Sequence, residues 1–339
     1  MERYFLGNNT AYGFYGNYEQ ELKDKNKVIL LKGGPGTGKS TMLKRLAKEA
    51  EDRGFDYELW YCSGDPKSLD GVLVKDLNIA VVDATAPHAT GADLPVIKDV
   101  IFDLATSLNR DKLTPHVEEI KRLLNCKKHR FIRTYQHLNI ALCHLKNQIA
   151  LEIDDVDNKK IHEFAMDFYA KIKDDIDAKI KNRDVFVSAI CPTGENVFFD
   201  HLRGRKIFKV EGGAVATNIF FDVLKGLTDG TWLLNPLDPN YIDGVVLNDI
   251  AIVKEVGLED NYDVLNLRDF EHFCYADEIA EEKNGVVLEE AFAVQELNRA
   301  REYHLEVEKY FVDAMDFENN EILFDRVRNE VFANRQDLT

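Results

Sequence analysis

The sequence predicts an α/β protein built from two copies of one unit, each a parallel sheet flanked by helices and extended by a helical arm. Three observations carry that expectation. The apolar run Val28-Ile29-Leu30-Leu31 leads through a glycine-rich turn into the helical pattern Met42 to Ala47. Strand-forming and helix-forming stretches alternate around it, which implies a parallel sheet with helices on its faces. The second half of the chain then repeats short segments of the first in the same order.

Taken in order, residues 1–27 are aromatic and rich in Gly and Asn, and read as a strand-and-loop lead-in followed by a short helix near 17–25. Strand 28–32, the glycine turn and helix 39–53 follow, with Gly54 as the helix stop. Tyr57 to Cys62 reads as the next strand, Ser63-Gly64-Asp65-Pro66 as a turn, and 72–74 and 79–82 as further strands, the last ending in Asp83. Ligands sit at the carboxyl ends of such strands, where Lys39, Asp65 and Asp83 fall. From about 96 to 182 apolar residues recur at helical spacing, predicting a helical arm broken near Asp154 to Asn158. Its basic cluster, Lys127 to Arg130 with Arg133, reads as a solvated helix face, or as a source of an arginine that reaches a phosphoryl group.

The turn itself reads Gly33-Gly34-Pro35-Gly36-Thr37-Gly38-Lys39-Ser40-Thr41. Strand, glycine loop, Lys-Ser and helix together form a phosphate-binding loop, the Walker A motif of a P-loop NTPase fold. Glycines let backbone N–H groups converge, and the helix points its positive end at the same place. Lys39 is expected to hold phosphates and Ser40 a Mg²⁺ ion. Asp83, closing an apolar strand, has the Walker B pattern and is the second expected Mg²⁺ residue. His88, just beyond it, is a candidate to orient water or sense the terminal phosphate. No acidic residue follows Asp83 directly, which predicts slow hydrolysis.

The repeat pairs 28–34 with 206–213, Asp65 to Leu73 with Asp238 to Val246, 79–82 with 250–253, Arg3 to Leu6 with Asp184 to Val187, and Leu142 to Leu145 with Glu302 to Leu305. It divides the chain into 1–182, with an arm over 96–182, and 183–339, with an arm over about 276–335. In the second copy Lys39 becomes Asn218, Ser40 becomes Ile219 and Asp83 becomes Lys254, so that copy is not expected to hold a nucleoside triphosphate. Asp65 and Asp70 persist as Asp238 and Asp243, which marks them as turn residues.

Apolar content of 45% and aromatic content of 10% suit a packed protein. A net charge of −17 argues against nucleic acid and anionic membrane as partners. No apolar run approaches a membrane span, and five scattered cysteines without a C-x-x-C pair read as free thiols, so a cytoplasmic location is expected.

The segments Asn9 to Phe14, Gly33 to Thr41, Tyr61 to Pro66, Leu69 to Val72, Asp83 to His88 and Leu305 to Phe317 resemble a bacterial family of tandem P-loop proteins catalogued as ATPases or nucleotide-kinase-related. Members of that family commonly carry a second Gly-Lys-Ser/Thr, where this chain has Asn218-Ile219. The resemblance implies ATP and Mg²⁺ as cofactors, and ATP is favoured over GTP because no guanine-reading motif is present. The leading expectation is a Mg-dependent ATPase with one intact site. A small-molecule or nucleotide kinase, and an ATP-gated module that binds a protein partner through its arms, are the alternatives.

Overall fold

The structure is a computed structural model and describes residues 1–86, 91, 93–177, 179–257 and 260–332. The first half supplies β1 (Glu2–Tyr4), β2 (Gly7–Thr10), β3 (Gly13–Gly16), α1 (Tyr18–Lys23), β4 (Lys27–Lys32), α2 (Lys39–Asp52), β5 (Tyr57–Tyr61), β6 (Leu69–Val74), β7 (Ile79–Asp83), β8 (Asp99–Asp103), α3 (Arg110–Leu113), α4 (Val117–Glu152) and α5 (Asn158–Ile172). The second supplies β9 (Arg183–Val185), β10 (Ser188–Cys191), β11 (Gly194–Val197), β12 (Lys206–Glu211), α6 (Ala214–Lys225), β13 (Thr231–Leu234), β14 (Ile242–Leu247), β15 (Ile250–Val253), β16 (Tyr262–Asn266), α7 (Ala276–Ala314) and α8 (Phe317–Phe332).

Two six-stranded sheets share one topology. Their orders are β1-β5-β6-β7-β4-β8 and β9-β13-β14-β15-β12-β16, and each is accompanied by a two-stranded hairpin, β2-β3 or β10-β11. The sheets are mixed, which corrects the expectation of a parallel one. β5, β6 and β7 run antiparallel in sequence, as do β13, β14 and β15. The reason is local: no helix connects these strands, and a short turn returns the chain antiparallel. The stretch expected to open the first arm also differs, because Asp99–Asp103 is a strand paired in parallel with β4. Its Phe102 is buried beneath α8 while Ile101 faces outward.

Alternation along the strands builds four layers. Val28 and Leu30 of β4 meet Ile207, Val246, Ala251 and Val253 of the other sheet in a shared central core. Ile29 and Leu31 face the opposite way, towards α2 and α8. In the second sheet Phe208, Val245 and Ile252 face α6 and α5. The outer helices are thus exchanged. α5, from the first half, covers the second sheet, and α8, from the end of the chain, covers the first.

α4 and α7 run antiparallel along each other, joined by Lys127 to His304, Arg130 to Glu296, His137 to Glu289 and His144 to Glu282. At 36 residues α4 is about 54 Å long. The starts of α4 and α5 at Val117 and Asn158 and those of α7 and α8 at Ala276 and Phe317 are separated by the same number of residues, which sets the helical correspondence between copies: Lys127 matches Val286 and His304 matches Leu145. His144 and His304, aligned by sequence, are therefore not equivalents. Among the described residues no helix is long and apolar enough to cross a membrane.

Candidate functional site

β4 carries the chain to the carboxyl edge of its sheet, and α2 starts at Lys39, leaving residues 33–38 as the loop. Three of its positions take a positive φ that favours glycine, and glycine supplies all three: +150° at Gly33, +70° at Gly36 and +85° at Gly38. Gly36 also lies beneath α7, where a β-carbon would come within 2.9 Å of the Glu308 carbonyl oxygen. Thr37 Oγ1 donates to the Gly34 carbonyl at 2.8 Å and pins the loop. Lys39, only 9% exposed, donates from Nζ to the carbonyls of Gly33 and Gly34, each at 2.9 Å.

The same Nζ stands 3.7 Å from Asp83 Oδ2. β7 pairs with β4 so that Asp83 lies beside Leu31, which brings the end of one strand to the mouth of the other's loop. Asp83 Oδ1 accepts the Thr85 N–H at 2.8 Å, and Thr85 Oγ1 donates to the Gly33 carbonyl at 2.9 Å. Ser40 Oγ accepts the Leu69 N–H at 3.0 Å. Lys39 and Asp83, chosen from separate stretches of sequence, are thus brought together, with Ser40 next to Lys39 at the start of α2. His88 and Pro87 lie outside the described residues. Among the described residues no side chain accepts a hydrogen bond from the N–H groups of residues 34–41, so the positive end of α2 has no side-chain cap.

α4 and α7 add basic groups that the sequence reading had not assigned to this site. Lys127 Nζ lies 3.0 Å from His304 Nδ1 and has no carboxylate partner among the described residues. Burial lowers the Lys127 pKa. Burial and the nearby Lys127, Lys39 and Arg301 hold His304 down at about 4, so its imidazole is neutral at physiological pH. Arg301 Nε bonds Asp65 Oδ1 at 3.2 Å, and Asp65 also accepts from Ser68 Oγ at 2.8 Å. Asp65 is therefore both a turn residue and an anchor for α7. Arg130 and Arg133, the arginines expected to reach a phosphoryl group, instead bind Glu296 at 3.0 and 3.2 Å. The pattern that could have found Arg301 is absent from the sequence, since its position depends on how two distant helices pair.

The second copy keeps the architecture and changes the chemistry. α6 begins at Ala214, the counterpart of Pro35, so the loop is wound into the first turn of the helix. Its N–H groups are taken by carboxylates of the chain itself. Val215 N–H donates to Glu152 Oε2 at 3.0 Å, and Gly213 N–H donates to Glu271 Oε1 at 2.6 Å. Glu152 is fully buried, with its other oxygen held by Gln148 at 2.7 Å. Gly213 has no room for a side chain, because a β-carbon would lie 2.9 Å from Glu152 Oε2. Burial and the neighbouring Glu152 raise the Glu271 pKa. At the first loop the residue packed against Gly34 in the same way is Phe311, which carries no charge.

No protein-family model matches the chain, and no curated protein or solved structure is significantly similar to it, so the resemblance in the sequence rests on its motifs alone.

Proposed function

We propose that the first half binds a Mg-nucleoside triphosphate, ATP in preference to GTP, in the loop Gly33 to Thr41 and hydrolyses it slowly. The observation that carries this reading is the meeting of Lys39 and Asp83, with Ser40 beside Lys39, at a loop whose amide groups carry no side-chain cap, while the matching amides of the second copy are filled by Glu152 and Glu271. Carboxylates on the second set of amides are what an anion-binding helix start attracts when no phosphate is involved. In this reading Lys39 and the loop amides hold the phosphates, and Lys127 and Arg301 face the terminal one from the helical side.

Ser40 Oγ and the Asp83 carboxylate are hard oxygen donors and fit Mg²⁺, which takes few protein ligands and keeps water and phosphate oxygens. Among the described residues no three His, Cys, Asp or Glu converge as a metal site of their own, so the ion would arrive with its nucleotide. When bound it supplies charge neutralisation of the phosphates. An ATP-gated interaction module is the second reading, favoured by the direct packing of α7 on the loop through Glu308, Phe311 and Val312.

The test is thermal unfolding with ATP, GTP and ADP, with and without Mg²⁺. Mg-ATP at a hundred times its Kd should stabilise the protein by about 2.7 kcal/mol. Lys39→Ala should remove that shift. A wild-type protein that no nucleotide stabilises would overturn the reading.

A further inference from the structure

The second copy carries a cavity at the place that corresponds to the mouth of the first loop. It encloses about 340 Å³ between the β10-β11 hairpin, the carboxyl ends of β13 and β15 with the amino end of β14, and the α4–α7 pair. Ligand sites of small molecules begin near this size. The correspondence between copies shows what has changed in it. Val286 and Leu145 line it where the first copy has Lys127 and His304, Lys254 stands where the first copy has Asp83, and Glu195 where it has Phe14. The Lys127 cation has gone from the helical wall, and carboxylates have entered, Glu290 on α7 and Glu195 and Glu255 on the sheet side.

Glu195, Glu255 and Glu290 all line this cavity. Asp243 is there too, but Lys254 neutralises it at 3.1 Å. None of the three glutamates has an ion-pair partner among the described residues, although the Lys209 charge acts on Glu255 from a distance. Shielding by the walls raises the pKa of all three, and pushes Glu290 up to about 7.

A second feature points the same way. His201 lines the cavity while only 2% exposed, and its Nδ1 has no hydrogen-bond partner among the described residues. Burial and the adjacent Arg205 keep it neutral, with a pKa of about 4, against the opposing pull of the Phe198 backbone. A metal ion is a poor match, because no three of the described carboxylates and imidazoles meet at one point. The apolar wall of Leu145, Val286 and Leu233 calls for a ligand with a hydrocarbon body.

We propose that this cavity binds a small organic cation, an amine whose ammonium lies beside Glu195 and Glu290 and whose apolar part packs on Leu145 and Val286. The duplication would then have produced two sites of opposite charge preference in one chain, a phosphate site and an amine site. The proposal does not depend on nucleotide binding at the first loop.

The experiment is isothermal titration of the full chain with putrescine and with phenethylamine, against sodium chloride and magnesium chloride at matched ionic strength. Saturable binding of at least one amine is expected, with no counterpart for either salt. The double variant Glu195→Gln/Glu290→Gln should weaken it by about tenfold or more, the scale of a lost charge-assisted contact. Glu255→Gln, at a solvent-reaching position, gives the same reading at lower magnitude if the double variant does not fold. Amines that bind no better than the salts, or affinity unchanged in the variants, would sink the proposal. Retained Mg-ATP stabilisation in the variants would separate this site from the first loop.

Discussion

Glu152 offers the sharpest test of how the two copies diverged. Replacing it with Ala leaves the Val215 N–H and the Gln148 amide without their charged acceptor inside a fully buried site. Each charge-assisted bond is worth about 1.5–3 kcal/mol. Loss of negative charge at the start of α6 adds up to about 2 kcal/mol. Against this stand the recovered desolvation of a buried carboxylate and the relief of its repulsion with Glu271, so a net cost of about 3 kcal/mol is expected. For a chain of 339 residues the unfolding entropy is about 0.7 kcal/mol per degree, and the melting temperature should fall by about 4 °C. The assay is calorimetry in a Lys39→Ala background, which silences the first loop, with sulfate compared against chloride at equal ionic strength. Sulfate stabilises proteins in general, so the quantity read is the excess effect in Lys39→Ala/Glu152→Ala over Lys39→Ala alone. If Glu152 occupies an anion site, sulfate should restore about half of the lost stability or more. A cost below about 1 kcal/mol, or no excess rescue, would refute the reasoning.

Lys127→Met and Arg301→Met should each weaken ATP by about tenfold while changing ADP less, measured by equilibrium titration; equal losses for both nucleotides would remove these residues from the terminal phosphate. Residues 1–182 alone should not fold stably, because α8 covers their core with Leu323, Phe324, Val327, Val331 and Phe332. Each such side chain contributes about 1.5–3 kcal/mol on burial, and a peptide spanning 316–339 added in trans should recover cooperative unfolding. Cooperative monomeric folding of 1–182 without it would contradict the helix exchange. His201 stays neutral in the native protein down to about pH 4, whereas in the unfolded chain it protonates near 6.5. The unfolded state therefore binds more protons between these values, and stability falls as pH drops through that window by up to roughly 3 kcal/mol. His201→Gln should flatten this part of the pH–stability curve.

What the sequence made legible was local. Strand, glycine loop and helix follow one another within residues 28–53, and each is set by its own side chains: the β4 apolar run, the left-handed glycines at 36 and 38, the periodicity of α2. The likeness of the two halves was legible because Asp-Pro turns and apolar strands repeat in order, and the two sheets share one strand order. The antiparallel middle strands were not read correctly, although the signal was present, since 62–68 and 75–78 are too short to hold a crossover helix.

The rest was hidden for a different reason. Nothing local says that α8 packs on α2 or that Arg301 meets Asp65, because both follow from α4 and α7 running antiparallel past the ends of both sheets. Those two helices bring the end of each half to the core of the other. The chemistry of each loop is therefore partly written in the opposite half. Glu152, in the first half, fills the amides of the second, and Phe311, in the second, packs on the loop of the first. An exchange of residue type at that helical position, carboxylate against phenyl ring, accompanies the difference between an amide cluster satisfied from within, by Glu152 together with Glu271, and one without a side-chain cap. Comparing loops alone could only report that the second had lost its lysine and serine. The helix packed over it explains what replaced them.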